Sequence, residues 1–377
     1  MKQTNPSAVV IALVAAAAMG ATALTATGAA AQTPAQAQTR SVPTFAVDPA
    51  WPKVPPQWKL GDVSSMTTDA QGNIWVLHRP RTLKDPDFAK AAPPVIVFDQ
   101  AGNYVKSWGG DGQGYDWPQR EHGIYIDPKG FVWLGGNNCP SNGLARLKPV
   151  ADDAILKFTQ DGKFVMQIGH SNQSKGNADT ANVHRAADVQ VYPPTNELFV
   201  ADGYGNHRVI VFDAASGAYK RHWGAYGKPP TDEKVDWDPK GPPPQQFGNP
   251  VHCITMTKDG LILVCDRSHN RMQMFRKDGT FVREISVLKE SAPGTIGSIV
   301  KWPDAAQTYL LVVDDPNGQF HVINRADGKL LGSFGRVGHQ LGEFYNLHFI
   351  GIDSKGNVYS AEVQGKRVQK FRNLGGL

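Results

Sequence analysis

Three histidines share one register of a recurring segment. His122, His252 and His348 each lie eight residues before a turn glycine, Gly130, Gly260 and Gly356. All three open the pattern His-x-Ile-x-(Ile/Met), so they have one side-chain phase on their strands. Imidazole is a common metal ligand, and three of them leave one position of a tetrahedral site open, the arrangement of a catalytic zinc. Imidazole also suits iron, copper and nickel, so zinc is the first expectation and iron or another divalent transition metal the alternative. A single histidine at the start of a strand is ordinarily just hydrogen-bonded. What points to a metal is the repetition, with Ser64 and Ala187 at the aligned positions of intervening repeats.

Seven residues after the turn glycine the chain returns to the height of the histidines. Arg79 stands there after Gly72 and Arg267 after Gly260, while a third repeat brings Tyr204 to the same level in Asp202-Gly203-Tyr204-Gly205-Asn206. Two guanidinium groups beside a metal can hold a carboxylate, and a phenol between cations can accept a proton. The plainer role for each is to cap a strand end on backbone carbonyls. His78, His184, Arg185 and His207 share no repeated register, and surface or loop roles are expected of them. Asp202, Asp266 and Asp314 recur in a Val-x-Asp pattern that suggests turn stabilisation.

Elements with this rhythm must hold those side chains. A unit of roughly 40–50 residues recurs six times, within the range of propeller blades. The units begin near Gly61, Arg120, Ala186, Pro250, Ser298 and Tyr345. Each runs through two strands around the glycine turn, a third strand, a hairpin and a fourth strand. Asp161-Gly162, Asp278-Gly279 and Asp327-Gly328 mark hairpins expected to be two-residue turns. The last unit lacks a fourth strand, and the segment from Thr44 to Pro52 is free to supply it, closing the ring and removing an exposed sheet edge. The expected fold is therefore all-β, a six-bladed β-propeller over residues 44–377. Its first strands line a central channel, and blades two, four and six present the histidines about 120° apart. Insertions at residues 136–153 and 228–246 interrupt the rhythm.

Composition narrows the remaining choices. The 39 Gly and 27 Pro suit many short strands and turns, and a formal charge of +5 without basic-aromatic clusters gives no nucleic-acid footprint. Residues 1–31 have a basic start, an apolar run and a small-residue cleavage site at Ala29-Ala30-Ala31, which predicts a secretory signal peptide and a periplasmic or extracellular product. A flexible segment, 32–43, follows. No later stretch is long and apolar enough to cross a bilayer, and a monomer is expected. Three cysteines make no disulfide framework; Cys253 and Cys265 could pair, but buried free thiols are expected.

The third-strand segments Asn206-His207-Arg208, His269-Asn270-Arg271 and Gly365-Lys366-Arg367 resemble NHL-repeat propellers. Within that group, the segments 121–127, 202–208, 265–267 and 347–348 resemble the peptidylglycine α-amidating lyase family, which splits a carbinolamide (an α-hydroxyglycine) into an amide and glyoxylate. The resemblance implies zinc on His122, His252 and His348, a catalytic Tyr204, and Arg79 and Arg267 on the substrate. It departs at Phe349, where the family has an Asp linked to a structural calcium, so calcium is not expected and the lyase chemistry is left open. The alternatives are a non-catalytic NHL propeller that binds a peptide, glycan or protein, and a metal-dependent hydrolase or lactonase, which would favour carboxylate ligands. For an enzyme, the partner is a small-molecule or peptide substrate. No nucleophile elbow supports acyl-enzyme chemistry.

Overall fold

The computed structural model describes residues 42–375 except Lys234 and Asp236. The expected signal peptide and nearly all of the segment after it lie outside the described residues. Inside them are six four-stranded antiparallel sheets and, apart from four short 3₁₀ turns, no helix. None of the described helices is long and apolar enough to cross a membrane.

Each sheet begins on an inner strand. In blades one to six these are Asp62–Thr68, Glu121–Ile126, Asp188–Tyr192, Val251–Met256, Ile299–Lys301 and Leu347–Ile352. They contact one another in sequence and back to the first, which closes the ring around a channel. In the last blade Phe45–Val47 pairs antiparallel with Arg367–Asn373, placing Phe45 opposite Asn373 and Val47 opposite Phe371. A sheet edge that would otherwise offer free amides is thereby covered.

Repeated local chemistry explains why the blades fold alike. In blades one, two and six the turn from first to second strand centres on an aspartate. Asp127 accepts the amides of Lys129 and Phe131 and the Trp133 indole N–H at 2.9 Å each, and Asp69 and Asp353 repeat the arrangement with Trp75 and Tyr359. The glycine of that turn has φ between 78° and 84° in Gly72, Gly130, Gly260 and Gly356, a conformation that a β-carbon disfavours. This is why glycine works as the alignment mark for the histidines. At the other end of the second strand, Asp202 receives Arg208 Nε at 2.8 Å, and Asp266 receives Arg271 in the same way. The Val-x-Asp residues thus clamp the third strand to the second, and Asp202 also accepts the amide of His184.

Second strands are buried on both faces, as Ile74–Arg79, Glu197–Asp202 and Tyr309–Asp314 show. Their apolar side chains pack against the neighbouring blade: Trp75, Leu77 and Val97 of blade one meet Ile124, Leu134 and Phe158 of blade two. The seam between the last and first blades is filled likewise, by Phe349, Tyr359 and Ala361 against Met66, Ile74 and Val76. Each such Val, Leu, Ile or Phe contributes about 1.5–3 kcal/mol on full burial.

Two local expectations change. The Asp-Gly pairs do not form two-residue turns. The Gly162 amide donates to Thr159 O and the Thr159 amide to Lys163 O, so a three-residue loop ends on a glycine at φ 78°. An adjoining register shift at Lys157/Phe158 is the accompanying bulge. Cys253 and Cys265, directly opposite on neighbouring strands, are joined by a disulfide instead of remaining free thiols.

Candidate metal centre

The three histidines sit where the inner strands slip register. The pairing ladder jumps between Glu121 and Ile124, between Val251 and Cys253, and between Leu347 and Phe349, so each histidine occupies a bulge. A bulge re-aims a side chain out of the strict alternation of the strand. Here it turns all three imidazoles to the axis, with ring centroids 5.0, 4.9 and 4.9 Å apart, close to an equilateral triangle. One nitrogen from each lies within 4.8 Å of the others, and all three residues are buried.

The intervening blades fix the orientation. His122 Nδ1 donates to Ala187 O at 2.7 Å, His252 Nδ1 to Gly297 O at 2.6 Å and His348 Nδ1 to Ser64 O at 2.6 Å. With the proton committed to Nδ1, each Nε2 carries its lone pair toward the centre, the usual tautomer of a metal-ligating histidine. Burial above all holds the three well below the ordinary imidazole range, so they are neutral; the next contribution comes from His348 for His122, from Arg267 for His252 and from Arg79 for His348. Three acceptor lone pairs face two donors. Tyr204 O lies 2.9 Å from His122 Nε2 and 3.1 Å from His252 Nε2, where its one proton satisfies only one of them. Arg267 Nη1 stands 3.2 Å from His252 Nε2. A group of this composition could bind a metal, and the donor set fits a divalent transition ion.

Tyr204 reaches the axis because Gly203 lets its loop press against blade four. A β-carbon on Gly203 would lie 2.1 Å from both the amide nitrogen and the carbonyl oxygen of Val251. The guanidinium of Arg267 lies 5.7 Å from the centre of the Tyr204 ring. Arg79, only 2% exposed, donates from Nε to Glu121 O at 2.6 Å. Burial, reinforced by the charge of Arg120, lowers Arg79 to about 10. Phe349 packs against all three histidines, its ring 5.9, 5.6 and 5.2 Å from those of His122, His252 and His348, and it also lines a separate cavity bordered by inner-strand residues.

The structure thus brings all six candidate residues together at one mouth. It adds Arg120, Asn137, Asp315, Asn346 and Val363 to the lining of a cavity of about 200 Å³. Asn137 and Val363 lie seven residues after Gly130 and Gly356, so the offset that singles out Arg79 and Arg267 also marks them. Arg120 and Asn346 share a second register, two residues before a histidine. His78 is not at the surface: it is buried, accepting the Gly61 amide at Nδ1. His184 pairs with Asp153 at 2.8 Å, outside the cluster.

No family model matches the chain. It is 24% identical over 364 residues to peptidyl-alpha-hydroxyglycine alpha-amidating lyase 1 of Drosophila melanogaster, covering 87% of this chain and 60% of the relative. To peptidyl-glycine alpha-amidating monooxygenase B of Xenopus laevis it is 26% identical over 346 residues, covering 86% and 35%. The chain is a six-bladed propeller resembling the amidating lyases. It therefore spans about three-fifths of the fly relative and a third of the frog one. Likeness extends to NHL repeat-containing protein 3 of Mus musculus, 24% identical over 341 residues with 87% and 84% covered. A solved streptogramin B lyase shares the fold at TM-score 0.53 and 13% identity, over 87% of this chain and 98% of that one.

Proposed function

We propose that this chain is a periplasmic or secreted metal-dependent lyase that breaks the C–N bond of an α-hydroxyglycine-type carbinolamide, releasing an amide and glyoxylate. The observation that carries this reading is the near-equilateral triangle of neutral imidazoles with Tyr204 oxygen within 3.1 Å of two of them. The likeness over most of the chain to a relative named as an amidating lyase, and to one named as an amidating monooxygenase, supports it.

His122, His252 and His348 would hold the ion, zinc first among the divalent transition metals. Bound there, the ion supplies Lewis-acid polarisation of a substrate oxygen. Acting as the phenolate, Tyr204 O takes the proton of the substrate hydroxyl. The C–O bond becomes C=O, the C–N electron pair leaves on nitrogen, and Tyr204 passes that proton to the nitrogen as the amide departs, which restores the phenolate. Arg79 stabilises the charge developing on oxygen, which a buried guanidinium does more effectively than an exposed one. Arg267 orients the substrate carboxylate.

Glyoxylate release from an α-hydroxyglycine amide, measured for the wild type and for Tyr204→Phe at equal metal content, tests the reading. Loss of a positioned general base costs 10²–10⁴-fold in rate. The expected result is a fall of about that size in kcat with metal retained. Undiminished turnover in Tyr204→Phe would overturn the assigned role. Absence of any turnover in metal-loaded wild type would favour a binding propeller, the other reading open to a chain also similar to NHL repeat-containing protein 3.

A further inference from the structure

Three guanidinium groups, of Arg79, Arg120 and Arg267, line the mouth against one carboxylate, Asp315, which is itself engaged by Asn346 Nδ2 at 2.5 Å. Buried or half-buried cations normally find an anion or a set of carbonyls. These do not. Among the described residues, the Arg79 guanidinium makes a single hydrogen bond, from Nε to Glu121 O, and its Nη2 is buried without a partner. Among the same described residues no hydrogen bond runs from the Arg120 guanidinium, whose Nε is likewise buried and unpartnered, and neither arginine forms an ion pair. Beside them Asn137, 5% exposed, leaves Oδ1 without a donor. The contrast with Arg208 is informative. That arginine, equally buried, spends its nitrogens on Asp202 and three backbone carbonyls.

We propose that Arg120 and Asn137 form, beside Arg79, a second anion subsite at the mouth, and that the substrate is a compact dianion carrying one acidic group for Arg267 and another for Arg120. This rests on reading the mouth as the substrate-binding face. Arg120 is a specificity residue in this account: it neutralises the second acidic group and makes no contact with the bond that breaks. Asn137 Oδ1 accepts an N–H or O–H next to that group. A cavity of about 200 Å³ suits a small molecule, below the ~300–1,000 Å³ typical of drug-sized sites. Two unbalanced positive charges at the mouth make a second anionic group favourable, because each charge-assisted bond replaces a cation that is otherwise desolvated and unpaired.

Calorimetric titration of zinc-loaded protein with malonate and with acetate tests this directly, in the wild type, Arg120→Ala and Arg120→Lys. The expected result is malonate binding at least tenfold tighter than acetate in the wild type. In Arg120→Ala malonate should weaken about tenfold while acetate changes less than twofold, and Arg120→Lys should restore part of the preference. Equal affinities for the two anions in the wild type would overturn the proposal. So would an Arg120→Ala variant that keeps the malonate preference or weakens both anions alike. Since binding is read without turnover, a chain that prefers malonate yet releases no glyoxylate separates failure of the lyase reading from failure of this one.

Discussion

Metal binding should raise the melting temperature of the propeller by several degrees, and the rise should depend on all three histidines. The ligands come from blades two, four and six, so one ion ties together inner strands spread along the chain from residue 122 to residue 348. An ion that binds only the folded state stabilises it by about 4 kcal/mol when free metal is a thousandfold above its dissociation constant. For roughly 330 folded residues, an unfolding entropy of about 2.1 cal/mol/K per residue amounts to ~0.7 kcal/mol/K, so the shift is ~6 °C. The assay is a thermal melt of metal-depleted protein with and without added zinc, for the wild type and for His252→Ala. Each protein serves as its own reference, which cancels any damage done by losing the bond from His252 Nδ1 to Gly297 O. His252→Ala should shift by less than about 2 °C, because two imidazoles bind far more weakly than three. A wild type that does not shift, or a variant that shifts as much, would mean that stabilising metal binds elsewhere or not at all.

Arg208→Ala should cost about 3–5 kcal/mol in urea unfolding, because it strands the Asp202 carboxylate in a site with no exposure; a loss under ~1 kcal/mol would show that the clamp between second and third strands matters little. Stability should also fall as pH rises from about 4 to 7. Burial raises Asp188 to about 7, so over that window the folded state holds a proton that the unfolded chain has released. Asp188→Asn should flatten the decline measured by urea midpoints between pH 5 and 7.5, and an unchanged slope would assign it to other buried acids, such as Asp152. Lys301, lowered to about 8 by burial in the same channel, works in the opposite sense: above pH 8 the unfolded chain binds the proton that the folded state has lost, so stability recovers toward pH 10.

Much of this site can be read in the sequence because the propeller repeats. A glycine forced to positive φ by the Asp127-type turn fixes the register, and counting back eight residues reaches His122, His252 and His348. The same count carried forward seven residues from the four turn glycines reaches Asn137 and Val363 as well as Arg79 and Arg267. What the sequence does not carry is where each strand departs from regularity. The bulges at the histidines leave no mark in residue type, nor does the use of Ala187, Gly297 and Ser64 through their carbonyls, since any residue supplies a carbonyl. Arg120 has no like residue at the aligned positions, where Pro250 and Asn346 stand, so the register marks its place but not its charge. The Asp-Gly hairpins mislead for a related reason: the dipeptide suits both a two-residue turn and the end of a three-residue loop, and cross-strand register decides between them.

The central claim is that three Nε2 atoms bind one ion on the propeller axis. X-ray diffraction from zinc-loaded crystals, collected on both sides of the zinc absorption edge, tests it most directly. One anomalous peak about 2.0–2.1 Å from the Nε2 atoms of His122, His252 and His348 is the predicted result. An axis without such a peak in fully loaded crystals, or a peak bound to other residues, would contradict it.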